Sequence, residues 1–229
     1  MRGMPKQKIV PHGTDTKQRG SKMKKFIRPI KKMEELVIWQ QKVKEIAPLT
    51  VYSFFVIALD TGISPEFLLQ LKWADIKQDE TGAVIKKTEP YFDIYCECEK
   101  VTRKIYFCDD SLAQLNELRL AYPDDVYIFQ SHAVNVAKKI QPMKIFSIGK
   151  IFKDAAKKAG LPNPDSVSAL TLRKTFGYMN IIYNKWSIHQ LRRYFDQKHS
   201  NITRKYIDLT TEVINTKHLP RKKRKPAEE

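Results

Sequence analysis

Residues 167–208 constrain this chain more than any other stretch. They read VSALTLRKTFGYMNIIYNKWSIHQLRRYFDQKHSNITRKYID. TLRKTFGY places Arg173 at the start of a predicted helix. About one helix-turn-helix later, NITRKYID places Tyr206 beside Arg204 and Lys205. The planar guanidinium of an arginine suits the paired oxygens of a phosphate. A phenol becomes a candidate nucleophile when cations or bases lie next to it. The pattern therefore predicts a phosphate site with a tyrosine at its edge, and the residues upstream read as scaffold for that pair.

The charge of the chain points the same way. Its 229 residues carry a formal charge of +17, with a pI near 9.7. So large an excess predicts a polyanionic partner, most commonly nucleic acid, rather than a small-molecule substrate. Lysine serving only solubility is the plainer alternative. Much of the excess is clustered. Residues 1–28 include Lys24, Lys25 and Arg28 and hold Asp15 as their one acid, which predicts a flexible basic arm. Residues 216–229 form a second basic run, PRKKRK, suited to phosphate contact, to solubility or, as a weaker reading, to nuclear import. Between them, residues 29–215 are expected to form one domain. No apolar run is long enough for a membrane span, and the basic N-terminus has no apolar core, so no membrane partner or secretory signal is expected.

Within the domain the helical period begins near residue 31, with Met33, Leu36, Val37, Gln40, Val43 and Ile46 on one stripe. Residues 49–59 are apolar nearly all round and predict a central buried helix. Asp60-Thr61-Gly62 ends it. Ser64 as N-cap and Pro65 at the first helical position start the next, with Phe67, Leu68 and Leu71 inward. Strands are expected at 83–86, 91–98 and 103–108, with Glu99 and Lys100 at the tip between the last two. Cys96, Cys98 and Cys108 are read as buried strand residues in a reducing compartment, not as a disulfide framework or a zinc site. Ser111 is expected to cap a helix through Leu112, Leu115 and Leu118, and Ser147 to open one that closes at Gly160.

Three blocks carry a resemblance to a known family. TLRKTFGY, FDQKHSNITRKYID and ALDTGISPEFLLQLKWADI follow, in the right order, the blocks of the tyrosine recombinases, or phage-integrase family. Phage-type members read T-H-T-L-R-K-T-F-G-Y, F-N-H-S-S-…-I-T-…-R-Y-I and T-G-L-R-x-S-E-L-L-x-L-K-W-x-D-I. The resemblance implies a mainly α fold with a small antiparallel β-sheet (α+β), that of the recombinase catalytic domain, without the family's separate core-binding module. It also implies double-stranded DNA as partner, self-association on that DNA, no cofactor or metal, and a cytoplasmic protein of prokaryotic or phage origin. Family enzymes attack a phosphodiester with tyrosine, leaving a 3′-phosphotyrosine and a 5′-hydroxyl. They use two arginines, a hairpin lysine, a histidine before the second arginine, and a second histidine or tryptophan.

Threaded onto this pattern, Arg173 takes the second-arginine position, Tyr206 that of the nucleophile, and Lys100 that of the hairpin lysine, with Lys104 as its alternative. Ser64 stands where the first arginine belongs, Leu170 where the first histidine belongs, and Gln197 where the second does, with His199 two residues late. Loss of one transition-state donor costs about 10²–10³ in rate. Loss of acid–base help costs about 10²–10⁴. The losses are not additive, but together they predict little strand cleavage. Phosphate binding, spread over Lys24, Lys25, Arg28, Lys72, Lys174, Arg204 and Lys205, is expected to survive. The main expectation is a DNA-binding regulator or architectural factor with a degenerate site. The alternatives are an active recombinase helped by His199, Lys72 or Lys174, and a protein-interaction module whose charge is incidental.

Overall fold

A computed structural model describes residues 27–80, 88–133 and 140–209. The expected strand at 83–86, most of the basic arm with Lys24 and Lys25, and the basic tail lie outside the described residues. Helices α1 (Met33–Ile46), α2 (Leu49–Thr61) and α3 (Pro65–Gln70) lead into strands β1 (Lys77–Glu80), β2 (Thr88–Cys96) and β3 (Val101–Tyr106). Helices α4 (Asp109–Ala121), α5 (Ile145–Lys158), α6 (Ala169–Ile182), α7 (Ile188–Tyr194) and α8 (Ser200–Tyr206) follow. The architecture is mainly helical with one antiparallel sheet in the order β1-β2-β3, as the sequence implies.

The all-round apolar character of α2 makes it the centre. Val51, Phe54, Phe55, Ile57 and Ala58 are buried, and the helix packs against both α4 and α6. Against this centre Trp39 is fully buried, edge-on to Phe55 at 4.8 Å and Phe152 at 5.5 Å. Its indole N–H donates to the Phe152 carbonyl at 3.2 Å, so the ring's one polar atom is satisfied. Side chains of this kind contribute about 1.5–3 kcal/mol each on burial. Trp39 also resets the face of α1. Leu36, Trp39 and Val43 point inward, whereas Met33 and Val37, expected on the buried stripe, are 43% and 45% exposed.

Several local expectations are corrected. The first described strand is Lys77–Glu80, a polar edge strand that the sequence pattern does not announce, formed by its register with β2, where Lys77 pairs with Tyr91 and Glu80 with Thr88; tertiary pairing here overrides propensity. Cys96 is buried in β2, but Cys98 is exposed in the turn after it, and Cys108 is exposed at the N-cap of α4. Ser111 lies inside α4's first turn, buried, and donates to Asp60 at 2.7 Å. Helix α5 opens at Ile145, two residues before Ser147. Gly160 follows α5 with φ +67°, as the capping role requires. Gly62 ends α2 at φ +59°, where a Cβ would sit 2.1 Å from the Phe176 ring.

Candidate functional site

Helix α6 begins where Ser168 N–H meets the Thr171 hydroxyl at 3.0 Å, and Arg173 follows within the first turn and a half. Its guanidinium turns inward. Nη1 donates to the Gly62 carbonyl at 2.7 Å, Nη2 donates to the Phe195 carbonyl at 3.1 Å, and the plane lies 4.1 Å from the centre of the Phe195 ring. Burial holds the Arg173 pKa below its ordinary range, and the electrostatic influence of the nearby Tyr206 phenol opposes that shift. Arg173 and Tyr206, 33 residues apart in sequence, are thus neighbours in space.

Tyr206 is the last residue of α8. Its ring stands edge-on to Phe195 at 5.7 Å, with the Lys174 ammonium 4.8 Å from its centre. Burial pushes the phenol's pKa up; Arg173 pulls it back only in part, and Glu66 adds a smaller push upward. At neutral pH the phenol is therefore protonated, and a carboxylate contributes to the field around it.

The positions that depart from the family pattern are occupied by groups with other work. Ser64 is the N-cap of α3, its hydroxyl accepting from Phe67 N–H at 3.3 Å. Leu170 is a half-buried apolar side chain in α6's first turn. Gln197 buries its Oε1 without a hydrogen-bond partner, while its carbonyl accepts from Arg192 at 3.0 Å. His199 is exposed and precedes α8. Lys100 sits in the hairpin turn at φ +53°, and its ammonium pairs with Glu97 at 2.7 Å. Lys104 lies instead over the Tyr91 ring at 4.6 Å. The structure brings neither lysine to the Arg173–Tyr206 pair.

The expected phosphate contacts divide. Arg28, Lys72 and Lys205 are exposed, Lys72 with its ammonium 5.4 Å from the Tyr127 ring centre. Arg204 is half-buried and bonds Asn201 at 3.2 Å. Lys174 is only 7% exposed and donates to the Ile27 carbonyl at 2.7 Å, so its ammonium serves the interior rather than the surface.

Two features lie outside the expectations drawn from the sequence. Lys144, Lys150 and Lys157 on and before α5 are exposed, with Lys153 half-buried between them and Phe146 81% exposed nearby. The 150/153/157 spacing is a readable sign of one basic helix face. The second is the docking of the hairpin on the α7–α8 connection. Asp196 accepts from the backbone N–H groups of Glu97 at 2.7 Å and Cys98 at 2.9 Å, and Glu99 pairs with Arg103 and Arg193. Among the described residues no group of His, Cys, Asp and Glu could hold a metal ion, and no helix is long and apolar enough to cross a membrane.

This arrangement, a mainly helical domain with a small antiparallel sheet and an arginine–tyrosine pair drawn together from distant blocks, is the catalytic-domain fold of the tyrosine recombinases. The model of the phage integrase family matches residues 30–212, and the chain belongs to that family. Solved structures agree in fold. The XerA recombinase superimposes with TM-score 0.60 at 16% identity, over 83% of this chain and 62% of that one. The XerH recombinase bound to its difH substrate, in a pre-cleavage complex, gives 0.61 at 16%, over 84% and 54%. A lambda integrase dimer bound to a core site gives 0.55 at 17%, over 80% and 49%. The chain therefore spans about half to three-fifths of the length of these structures. No curated protein matches it in sequence.

Proposed function

We propose that this chain is a DNA-binding member of the integrase family whose strand-cleaving chemistry is lost or greatly weakened. It would act as a regulator or architectural factor of a phage or mobile element, occupying a site without cutting it. The observation that carries this reading is the use made of Arg173. Both of its arms are taken by the carbonyls of Gly62 and Phe195, while the position that should supply a second cation holds Ser64, a helix cap. A half-buried phenol that stays protonated at neutral pH has Arg173 drawing its pKa down only in part, against burial and Glu66. Leu170 cannot move a proton at all. A carboxamide at Gln197 is not an acid or base in the working range.

Binding asks far less of the site. Phosphate attraction sums over many cations and needs no preorganised centre. The exposed Lys144, Lys150 and Lys157 of the α5 region, with Lys72, Arg28 and Lys205, supply such cations on the described surface. Several of the similar structures are DNA complexes, and those of lambda integrase include a dimer and a tetramer. Self-association on DNA is the corresponding proposal for this chain.

The deciding experiment is incubation with a nicked suicide duplex, followed by denaturing electrophoresis, alongside duplex binding measured over a salt series. Salt-sensitive binding with no covalent band is the expected result. A covalent band that vanishes in Tyr206→Phe would make the chain an active recombinase, and salt-independent or absent binding would remove DNA as its partner.

A further inference from the structure

Helix α8 is short, and residues in the left-handed backbone region lie in the connection that leads into it and just after it: Asp196 at φ +55° and Asp208 at φ +52°. Such a conformation is uncommon for any residue but glycine, and aspartate and asparagine are among those that tolerate it best. Both aspartates are also tied to distant parts of the chain. Asp196 holds the hairpin turn through the N–H groups of Glu97 and Cys98. Asp208 receives Lys31 twice: the Lys31 ammonium lies 2.9 Å from the carboxylate and donates to the Asp208 carbonyl at 2.9 Å. Lys31 belongs to the segment that precedes α1, and that segment is pinned at two further points. Ile30 N–H donates to the Thr175 hydroxyl at 2.9 Å, and the Ile27 carbonyl accepts from Lys174 at 2.7 Å. Lys174 is the residue whose ammonium also lies over the Tyr206 ring.

We propose that residues 27–31 form a strap that sets the position of Tyr206, with Lys31 and Lys174 as its two positioning residues. Lys31 fixes the chain two residues beyond the tyrosine. Lys174 joins the strap's backbone to the tyrosine ring itself. The rest of the grip on α8 is modest. Its buried contribution is Thr203 and, just past its end, Ile207, which packs with Leu191 and Phe195 in an apolar cluster separate from the main core. A helix held by so little apolar surface depends on its polar anchors. The strap also connects directly to the basic residues 1–26, so a load on that segment would act on α8 through Lys31 and Lys174. The proposal concerns contacts within the chain and holds whether or not DNA is the partner.

The test is amide hydrogen exchange read by mass spectrometry, on the full chain and without DNA. Lys31→Met keeps the side-chain stem and removes the ammonium. It should speed exchange in residues 200–209 by about tenfold, the factor set by removing one charge-assisted hydrogen bond, and leave α2 unchanged. Lys31→Arg should restore protection. Asp208→Asn approaches the same contact from the other side and should loosen the same residues. The tyrosine supplies a second reading: released from its half-buried position, the Tyr206 phenol in Lys31→Met should titrate closer to the ordinary value of about 10, followed by NMR of ring-labelled tyrosine. Unchanged exchange in 200–209 with an unchanged Tyr206 titration would overturn the proposal. So would exchange that rises equally in α2, since that would mark general destabilisation.

Discussion

Replacing Arg173 by methionine should unfold the region around the site rather than merely weaken a phosphate contact. The substitution keeps an unbranched stem over the Phe195 ring and deletes the two bonds to the Gly62 and Phe195 carbonyls, at 2.7 and 3.1 Å. A hydrogen bond from a charged donor is worth about 1.5–3 kcal/mol, and the two abandoned carbonyls lie where solvent reaches them poorly, so a loss of about 3–5 kcal/mol is expected. For a domain of this size each kcal/mol moves Tm by about 2–4 °C, which gives a fall of roughly 6–20 °C. Arg173→Lys has a single ammonium and satisfies one carbonyl, so it should recover about half of the loss. Urea unfolding followed by circular dichroism measures the difference, and duplex binding well below the lowered Tm separates folding from recognition. If Arg173→Met costs less than about 1 kcal/mol, below the value of even one such bond, the guanidinium is not a strut between α2 and the α7–α8 turn. The reasoning that assigns it to scaffolding then fails.

Three other outcomes are expected. Lys150→Ala with Lys153→Ala should flatten the log–log dependence of duplex affinity on salt by about 0.9 for each phosphate no longer neutralised, and an unchanged slope would show that α5 does not face DNA. Ser64→Arg should cost about 1 kcal/mol of stability by removing the cap of α3 while tightening duplex binding; a stable variant with unchanged affinity would contradict both parts. Burial raises the phenols of Tyr206, Tyr194 and Tyr178 above their unfolded value of about 10. Their contribution to stability is of the opposite sign to that of a salt-bridged acid: the neutral phenol suits the buried site, so stability is complete below about pH 10 and falls as the unfolded chain ionises above it. Tyr194→Phe gives up the bond to the Thr61 carbonyl at 2.6 Å, so it should be less stable at pH 7 yet show a shallower alkaline decline; an alkaline limb as steep as that of the unmodified protein would refute this.

Much of the frame is legible in the sequence because it depends on local signals. The apolar circumference of α2, the left-handed stop at Gly62, the Ser64-Pro65 start and the Gly160 cap all sit where nearby residues dictate. The order of the three blocks is enough to expect Arg173 and Tyr206 together. The destinations of the charged groups are not legible, because most are decided by a partner remote in sequence. Nothing near Arg173 announces Gly62, 111 residues away, and nothing near Asp196 announces the hairpin N–H groups, 98 and 99 residues away. Lys174 looks like a surface cation because it follows Arg173 on a helix, but the carbonyl of Ile27 draws it inward. Lys100 looks like a catalytic lysine by its place at the hairpin tip, and Glu97, three residues away, is its partner. The α5 face differs from these, since its lysine spacing is a local signal that stands in the sequence itself.

The end of α2 has a consequence for how the chain is made. No cation lies in the last turn of that helix. Its final carbonyls receive their donors from Tyr194, at Thr61, and from Arg173, at Gly62, separated from those acceptors by 133 and 111 residues. During synthesis at roughly 5–20 residues per second, this helix, apolar nearly all round, waits on the order of ten seconds for the groups that complete it. Until α6 emerges, the part of α2 that α6 covers is open to other chains. Nascent chains that stall before residue 169 should therefore be the aggregating species, and chaperone demand in a host should follow ribosome speed over the second half of the message rather than the first.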